Sequence, residues 1–450
     1  MRTIPFVLIL IVIVLPSLLT AQLAQQKANE YWPFWRGPLQ TGESPTGKPP
    51  LEWSEDQHVR WKREIPGKGL SSPVIWGDLI FLTTAVEMEK KASEQEIKAQ
   101  KDTQAGWMKM SRQAASTEFY LQYVVMAIQR STGKIAWQKI VHEGFPHEGR
   151  HVDGSWASES CVTDGKYIIA PFGSDGYYCF DLTGTLLWQT DLGDMRTSAA
   201  FGEGSSPTIY GDFVVINWDH EIQSFITVLD IKTGKQVWKV NRDEDTSWAT
   251  PVVAEVNGAP QIITAATNKS RGYNLKDGTV IWELGGLTGN VIPSPMYYNG
   301  VAWLMSGFRG NVLQAIKLTN ASGDLEKSNA MLWTLDKATP YVPSGCLYQG
   351  NLYFLKGNRE SLTCLDAATG AIHYTKQELE QVEGVYASPV AANGRVYIAG
   401  RNGVTVVIKA GPEFEVLATN IIDDAIDASP AIVGRELYIR GQSALYCIAE

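Results

Sequence analysis

Cysteine is scarce in this chain and placed where it cannot crosslink. There are five, Cys161, Cys179, Cys346, Cys364 and Cys447, an odd count. Cys161 and Cys179 stand 18 apart, as do Cys346 and Cys364, and each pair falls on the first and third of four consecutive predicted strands. Strands so separated lie on the order of 10 Å apart, beyond disulfide reach, so buried free thiols are expected. Basic residues are in the minority, 39 Lys and Arg against 48 Asp and Glu. The net charge of -9 argues against nucleic acid as a partner, because affinity there rests on neutralising phosphates. Only one long apolar run exists, Ile4 to Leu19; it follows Arg2, contains Pro16 and gives way to small and polar residues. That is the pattern of a secretory signal peptide, Met1 to Ala21, cleaved near residues 21–24, and the run is slightly short for a bilayer span. The mature chain is then exported, to periplasm, envelope or exterior, without a membrane span. No cysteine stands near the cleavage site, so a lipoprotein anchor is not indicated. Helix-favouring composition is confined to Glu87 to Glu118, rich in Glu, Lys, Gln and Ala.

What remains reads as strands and turns, and it repeats. Gly204 to Val240 holds four short strands: Thr208 to Tyr210, Phe213 to Asn217, Phe225 to Asp230 and Gln236 to Val240, separated by Gly-Asp, a polar loop and Lys-Thr-Gly-Lys. Runs of β-branched and aromatic residues between Gly, Asp and Asn turns give an antiparallel meander. Unit openings fall at Pro73, Cys161, Pro207, Pro251, Pro295, Gly345, Pro389 and Pro430, in steps of 88, 46, 44, 44, 50, 44 and 41. A period near forty-four with four strands per unit is that of β-propeller blades, and the one long step marks an insertion in the first blade. The last unit, Ser429 to Ala449, runs out after three strands. His58 to Ile65 supplies the fourth, which closes the ring and removes sheet edges. The expected fold is all-β: an eight-bladed propeller of four-stranded antiparallel blades over residues 58–450, closed by an N-terminal strand, with seven blades as the alternative.

The second half of the unit repeats as well: STGKIAW (Ser131 to Trp137), LTGTLLW (Leu182 to Trp188), KTGKQVW (Lys232 to Trp238) and KDGTVIW (Lys276 to Trp282), with a worn copy at Asp366 to Tyr374. A tight glycine turn followed by a strand places an indole against the next blade, so Trp61, Trp137, Trp188, Trp238, Trp282 and Trp333 are the expected seam residues. These motifs resemble the pyrroloquinoline-quinone-like (PQQ-like) propeller repeat, with its Asp-x-x-Thr-Gly-x-x-x-Trp docking motif, from about Trp32 to the C-terminus. Tyr31 to Pro38, YWPFWRGP, resembles the Trp-Pro-x-x-Arg-Gly-Pro opening of secreted PQQ-like propellers of the planctomycete kind; it begins a clasp, residues 31–57, expected on the outer blade seam. The fold is also similar to the lipoprotein propellers of outer-membrane assembly and to quinoprotein alcohol dehydrogenases. The latter carry a vicinal cysteine pair and calcium ligands from Glu, Asn and Asp, and no such set is identifiable here, so PQQ and calcium stay without assigned ligands.

Function is expected on the face that collects the second-to-third loops and the blade-to-blade links. Three groups stand out there. His142, His147 and His151 lie within ten residues, beside Glu143, Glu148 and Asp153, and are metal-ligand candidates, although their spacing matches no zinc signature. Asp219, His220 and Glu221, with Arg242, offer a histidine flanked by carboxylates, either a tuned base or part of inter-blade ion pairs. Arg271, Arg309, Arg359, Arg401 and Arg440 recur in corresponding loops of blades four to eight, as an arc for an anionic ligand or as partners of Glu383, Asp423, Asp424 and Asp427. In the helical insertion, Trp107 and Met108 are candidates for docking. The leading expectation is an exported, non-enzymatic scaffold that binds a protein, peptide or anionic glycan on this face, alone or within a complex. The alternatives are a PQQ/calcium oxidoreductase and a structural part of an envelope assembly.

Overall fold

A computed structural model describes residues 26–104, 106 and 113–450. The expected signal peptide and the pair Trp107 and Met108 lie outside them. Eight four-stranded antiparallel sheets follow one another round a ring. Blade three shows why the sequence folds so. Thr208–Tyr210, Phe213–Trp218 and Phe225–Asp230 are almost wholly buried, whereas Gln236–Asn241 alternates between exposed and half-buried. The three inner strands are packed on both faces and read as continuous apolar runs; the fourth faces water on one side. Its final turn is set by Asp230, whose carboxylate accepts from the Thr233 amide at 2.9 Å and hydroxyl at 2.8 Å.

The ring closes on itself. Val59–Glu64 pairs antiparallel with Ala444–Ala449, Lys62 opposite Tyr446, and becomes the outer strand of blade eight. Eight blades, not seven, therefore make the propeller.

At five seams the tryptophan indole donates to a carbonyl in the next blade: Trp61 to Arg130 at 2.9 Å, Trp137 to Leu182 at 3.0 Å, Trp188 to Ile231 at 2.8 Å, Trp238 to Leu275 at 2.9 Å and Trp333 to Ala368 at 3.0 Å. Each ring lies over the turn glycine of that blade, Gly133, Gly184, Gly234, Gly278 or Gly370, where a Cβ would stand only 2.5–2.8 Å from the indole. The motif glycine thus gives both a positive φ and room for the ring. Trp282 departs from the expectation. Its indole is buried in its own blade, over Gly272, and points to Gln261 Oε1 at 3.3 Å. Blade five lacks the tight glycine turn at this place. An insertion stands there instead, and its segment Gly323–Asp324 runs parallel to Val280–Leu284 as a fifth strand, opposite Trp282.

Only the second half of the N-terminal segment clasps an outer strand: Asn420, on the outer strand of blade seven, accepts from the Trp53 amide at 2.8 Å and donates to Leu51 O at 3.1 Å, whereas the first half enters the channel. Trp32 pairs with Ile75, and Pro33, Thr41 and Gly42 carbonyls accept from the amides of Thr163, Leu347 and Ala391. Arg36 donates to Gly345 O and Ser44 to Ile432 O. The inner strand of every blade leaves one edge of amides and carbonyls facing the channel, and the segment satisfies those edges in blades one, two, six, seven and eight.

In blade one the insertion is partly strand: the second and third strands extend to Lys91 and from Phe119. The helix spans Glu94–Thr103, begun by a Ser93 and Glu96 capping box. Gln100 fixes it to Pro146 O at 2.9 Å, and Ala114–Ala115 pairs with Arg150–His151. The insertion therefore rests on the link between blades one and two. All five cysteines are buried and free, as their spacing required. Among the described residues no helix is long and apolar enough to cross a membrane.

Candidate functional site

The residue before each unit opening is Ser or Thr, and these eight form a closed circuit. The amides of Ser72, Ser160, Ser206, Thr250, Ser294, Ser344, Ser388 and Ser429 each donate to the hydroxyl of the next, at 2.8–3.2 Å, and Ser429 donates back to Ser72 at 3.0 Å. Each hydroxyl thereby satisfies a buried link amide. The sequence carries the signal, Ser or Thr recurring at the blade period immediately before each unit opening.

Above this ring lies a funnel of about 580 Å³. Seven of the eight ring residues line it, all but Ser344. Three residues further along the inner strands, at Ile75, Thr163, Leu347, Ala391 and Ile432, the N-terminal segment fills the channel, and its Trp35 lines the funnel. The site is thus a blind pocket on the loop face. Its wall is aromatic over the arc of Phe201, Trp248, Phe308, Tyr341 and Tyr386, with Phe308 and Tyr341 stacked at 5.0 Å. On the other side stand His151, Asp153, Glu203 and Asp427. A pocket of this size, apolar with a few convergent polar groups, is the form of a ligand site.

The polar side is internally committed. Arg401 bonds Asp153 at 2.9 Å and Asp427 at 2.7 Å, while the Tyr386 hydroxyl donates to Asp153 at 3.0 Å. Burial opposes ionisation of Asp153, but Arg401 and Tyr386 hold its carboxyl below the ordinary range.

The arginine arc does not form. Arg271 is buried against Asp243, Glu244 and Glu283, away from the funnel. Arg440 is buried without a carboxylate, bonded to Ser71 O at 2.8 Å and to the Ser71 hydroxyl; desolvation brings its guanidinium down to about 10. Arg359 is exposed and lines no part of the funnel. Arg401 stands behind Asp153 and Asp427, and only Arg309 of the five lines the cavity. Loops at corresponding places of blades four to eight hold an arginine, but its surroundings differ from blade to blade, carboxylates for Arg271 and Arg401 and Ser71 for Arg440, and direct each side chain separately.

The cluster in blade three lies away from the funnel. Arg242 and Asp219 form a fully buried two-bond pair at 2.7 and 3.1 Å, completed by Thr264, Tyr273 and Ser247, which joins blades three and four. His220 accepts at Nδ1 from the Arg196 amide at 3.1 Å and donates from Nε2 to Gln223 O at 3.0 Å, so both ring nitrogens are engaged. Glu221 accepts from the Thr246 amide at 3.1 Å. None of the four lines the funnel.

The three histidines separate as well. His142 faces Asp175 at 3.5 Å, His147 donates to Met195 O at 2.7 Å, and His151 accepts from the Asp153 amide at 3.2 Å while packing edge-on against Phe201. Among the described residues no three His, Cys, Asp or Glu side chains come together as a metal site.

Behind the funnel wall is a small cavity of about 30 Å³, lined by His147, Glu148, Glu159, Asp175 and Glu203. Glu159 is 3% exposed; Oε2 accepts from the Gly173 amide at 2.8 Å and Oε1 has no partner. Burial drives its carboxyl well above the usual range. Burial also raises Glu203, to about 7, against the bonds that Ser174 gives it. Gly173 makes room for that carboxylate, since a Cβ there would overlap Glu203 Oε2. Nothing in the local sequence distinguishes Glu159 or Glu203 from surface glutamates.

Calcium finds no cradle of free carboxylates in the funnel. A hard cation needs several free carboxylate or carbonyl oxygens. Here Asp153 and Asp427 are held by Arg401 and Glu203 by Ser174.

The family model described as outer membrane protein assembly factor BamB matches residues 122–376. Among solved structures, BamB from Moraxella catarrhalis superposes with a TM-score of 0.52 at 12% identity, covering 81% of this chain and 99% of that chain. A europium-containing methanol dehydrogenase superposes with a TM-score of 0.61 at 11% identity, covering 94% of this chain and 92% of that one. At these identities the likeness is one of fold. No curated protein matches the sequence.

Proposed function

Because the chain belongs to the PQQ-like propeller family of the outer membrane protein assembly factor BamB, we propose that it is a non-enzymatic scaffold of the cell envelope that holds an extended segment of a partner polypeptide in its funnel. The observation that carries this reading is the blind pocket itself: about 580 Å³, walled by five aromatic rings and closed below by the chain's own N-terminal segment. Aromatic walls take up apolar and aromatic side chains with little loss of freedom. Asp153 and Asp427 already share Arg401, so neither stands free to hold a cation, and this favours binding over metal-assisted chemistry. The family's name supports polypeptide as the ligand and a complex as the setting.

The test is an array of overlapping 12-residue peptides spanning an outer-membrane β-barrel protein, probed with wild type and with the Trp248→Ala and Phe308→Ala variants. The reading expects a subset of peptides to bind wild type and to lose at least about tenfold in affinity with either variant. Binding that is indifferent to both substitutions, or no binding, contradicts it.

A further inference from the structure

Resting on that reading, we infer that Arg309 makes the aromatic arc of the funnel selective for a segment carrying an acidic side chain beside an aromatic one. Arg309 is the one Lys or Arg that lines the cavity among the described residues. Unlike Arg271 and Arg401, it enters no ion pair there. Its guanidinium lies 5.1 Å over the Phe308 ring, which in turn stacks on Tyr341. A planar cation beside two stacked rings receives a carboxylate edge-on while leaving the ring faces for an aromatic neighbour.

The backbone supports a role for this side chain. Arg309 sits at φ +54°, in the left-handed region, with Gly310 next to it. Glycine is the unstrained choice at such a position, and an exposed arginine there packs into no core that could account for it. The charges opposite define what the ligand must bring. Asp153 and Asp427 already share Arg401 and have no unmet need for a cation. Arg309 is left as the unmatched charge, and its complement is an anion.

The test uses two capped, fluorophore-labelled heptapeptides, Gly-Ser-Tyr-Glu-Tyr-Ser-Gly and the same with Gln for Glu, titrated against the mature protein by fluorescence anisotropy. Wild type is expected to bind the Glu probe about fivefold more tightly than the Gln probe at low salt, with the difference shrinking in 0.5 M salt. Arg309→Gln is expected to erase the preference by weakening only the Glu probe, and its melting temperature confirms that the variant is folded. Equal binding of both probes to wild type, or a preference that survives in Arg309→Gln, overturns this inference and leaves the funnel reading standing. Failure of both probes, when the array peptides also fail, removes both.

Discussion

Arg401 and Asp153 are 248 residues apart in sequence and meet at 2.9 Å, tying the second-to-third loop of blade seven to the link between blades one and two. The same guanidinium holds Asp427, whose side chain is only 2% exposed, so this one arginine neutralises two funnel carboxylates. Removing it leaves a buried charge without its partner. Arg401→Gln is therefore expected to cost about 2 kcal/mol, a figure below that for fully buried pairs because Arg401 is itself partly exposed. Asp153→Asn in the same background should cost less than it does alone, and thermal unfolding of the four proteins measures that coupling.

The seams give a contrast between two glycines of the same backbone class. Gly234 has φ +68° and would bring a Cβ to 2.5 Å from the Trp188 ring, whereas Gly211 has φ +56° and nothing within 4 Å. Gly211→Ala is expected to cost about 1 kcal/mol from backbone strain alone. Gly234→Ala adds displacement of an indole and is expected to cost about 3 kcal/mol, read as a larger fall in melting temperature. Equal falls would mean that the indole does not depend on the glycine beneath it.

Much of this was legible in sequence because each blade uses the same local chemistry. A glycine turn followed four residues later by tryptophan recurs in four units, at Gly133 and Trp137, Gly184 and Trp188, Gly234 and Trp238, and Gly278 and Trp282, so period and strand order follow from neighbouring residues. The ring of eight hydroxyls was half visible, as Ser or Thr at a constant offset. The arginines were not legible. Arg271, Arg401 and Arg440 occupy equivalent places, yet each is directed by a partner specific to its blade: Asp243 with Glu244, Asp153 with Asp427, and Ser71. Trp282 failed for a similar reason, since its seam depends on an insertion in the following blade. The channel-filling segment at Trp32 to Ser44 has no periodicity to betray it; only the unpaired inner-strand edges explain its place.

Glu203 makes stability depend on pH. Its folded-state value, about 7, lies above the ordinary range of a glutamate, and Glu159 is displaced in the same direction. The folded protein therefore binds more protons than the unfolded chain. The stabilisation is fully present below the unfolded value, about 4.3, and is lost as pH rises toward 7. Melting temperature is expected to fall between pH 5 and pH 8, with Glu203 contributing on the order of 2–3 kcal/mol. Glu203→Gln, neutral at every pH, should flatten that fall; a variant with the wild-type slope would move the effect elsewhere.

PQQ with calcium supplies a check on the rival chemistry. A ligand that binds only the folded state raises its melting temperature. With Asp153 and Asp427 committed to Arg401, saturating PQQ and calcium are expected to leave the melting temperature of the mature protein unchanged. A rise of several degrees would show that the funnel rearranges to accept them.

The most direct test of the account is site-specific photo-crosslinking to a urea-unfolded outer-membrane β-barrel polypeptide diluted into buffer with the protein. One photoreactive residue replaces Tyr341, in the funnel wall, and another replaces Gly258, in a turn of blade four that lines no part of the funnel. The account predicts crosslinks from position 341, competed away by an unlabelled array peptide, and few from position 258. Equal crosslinking at both, or crosslinks at 258 alone, would contradict the claim that the funnel holds the partner's chain.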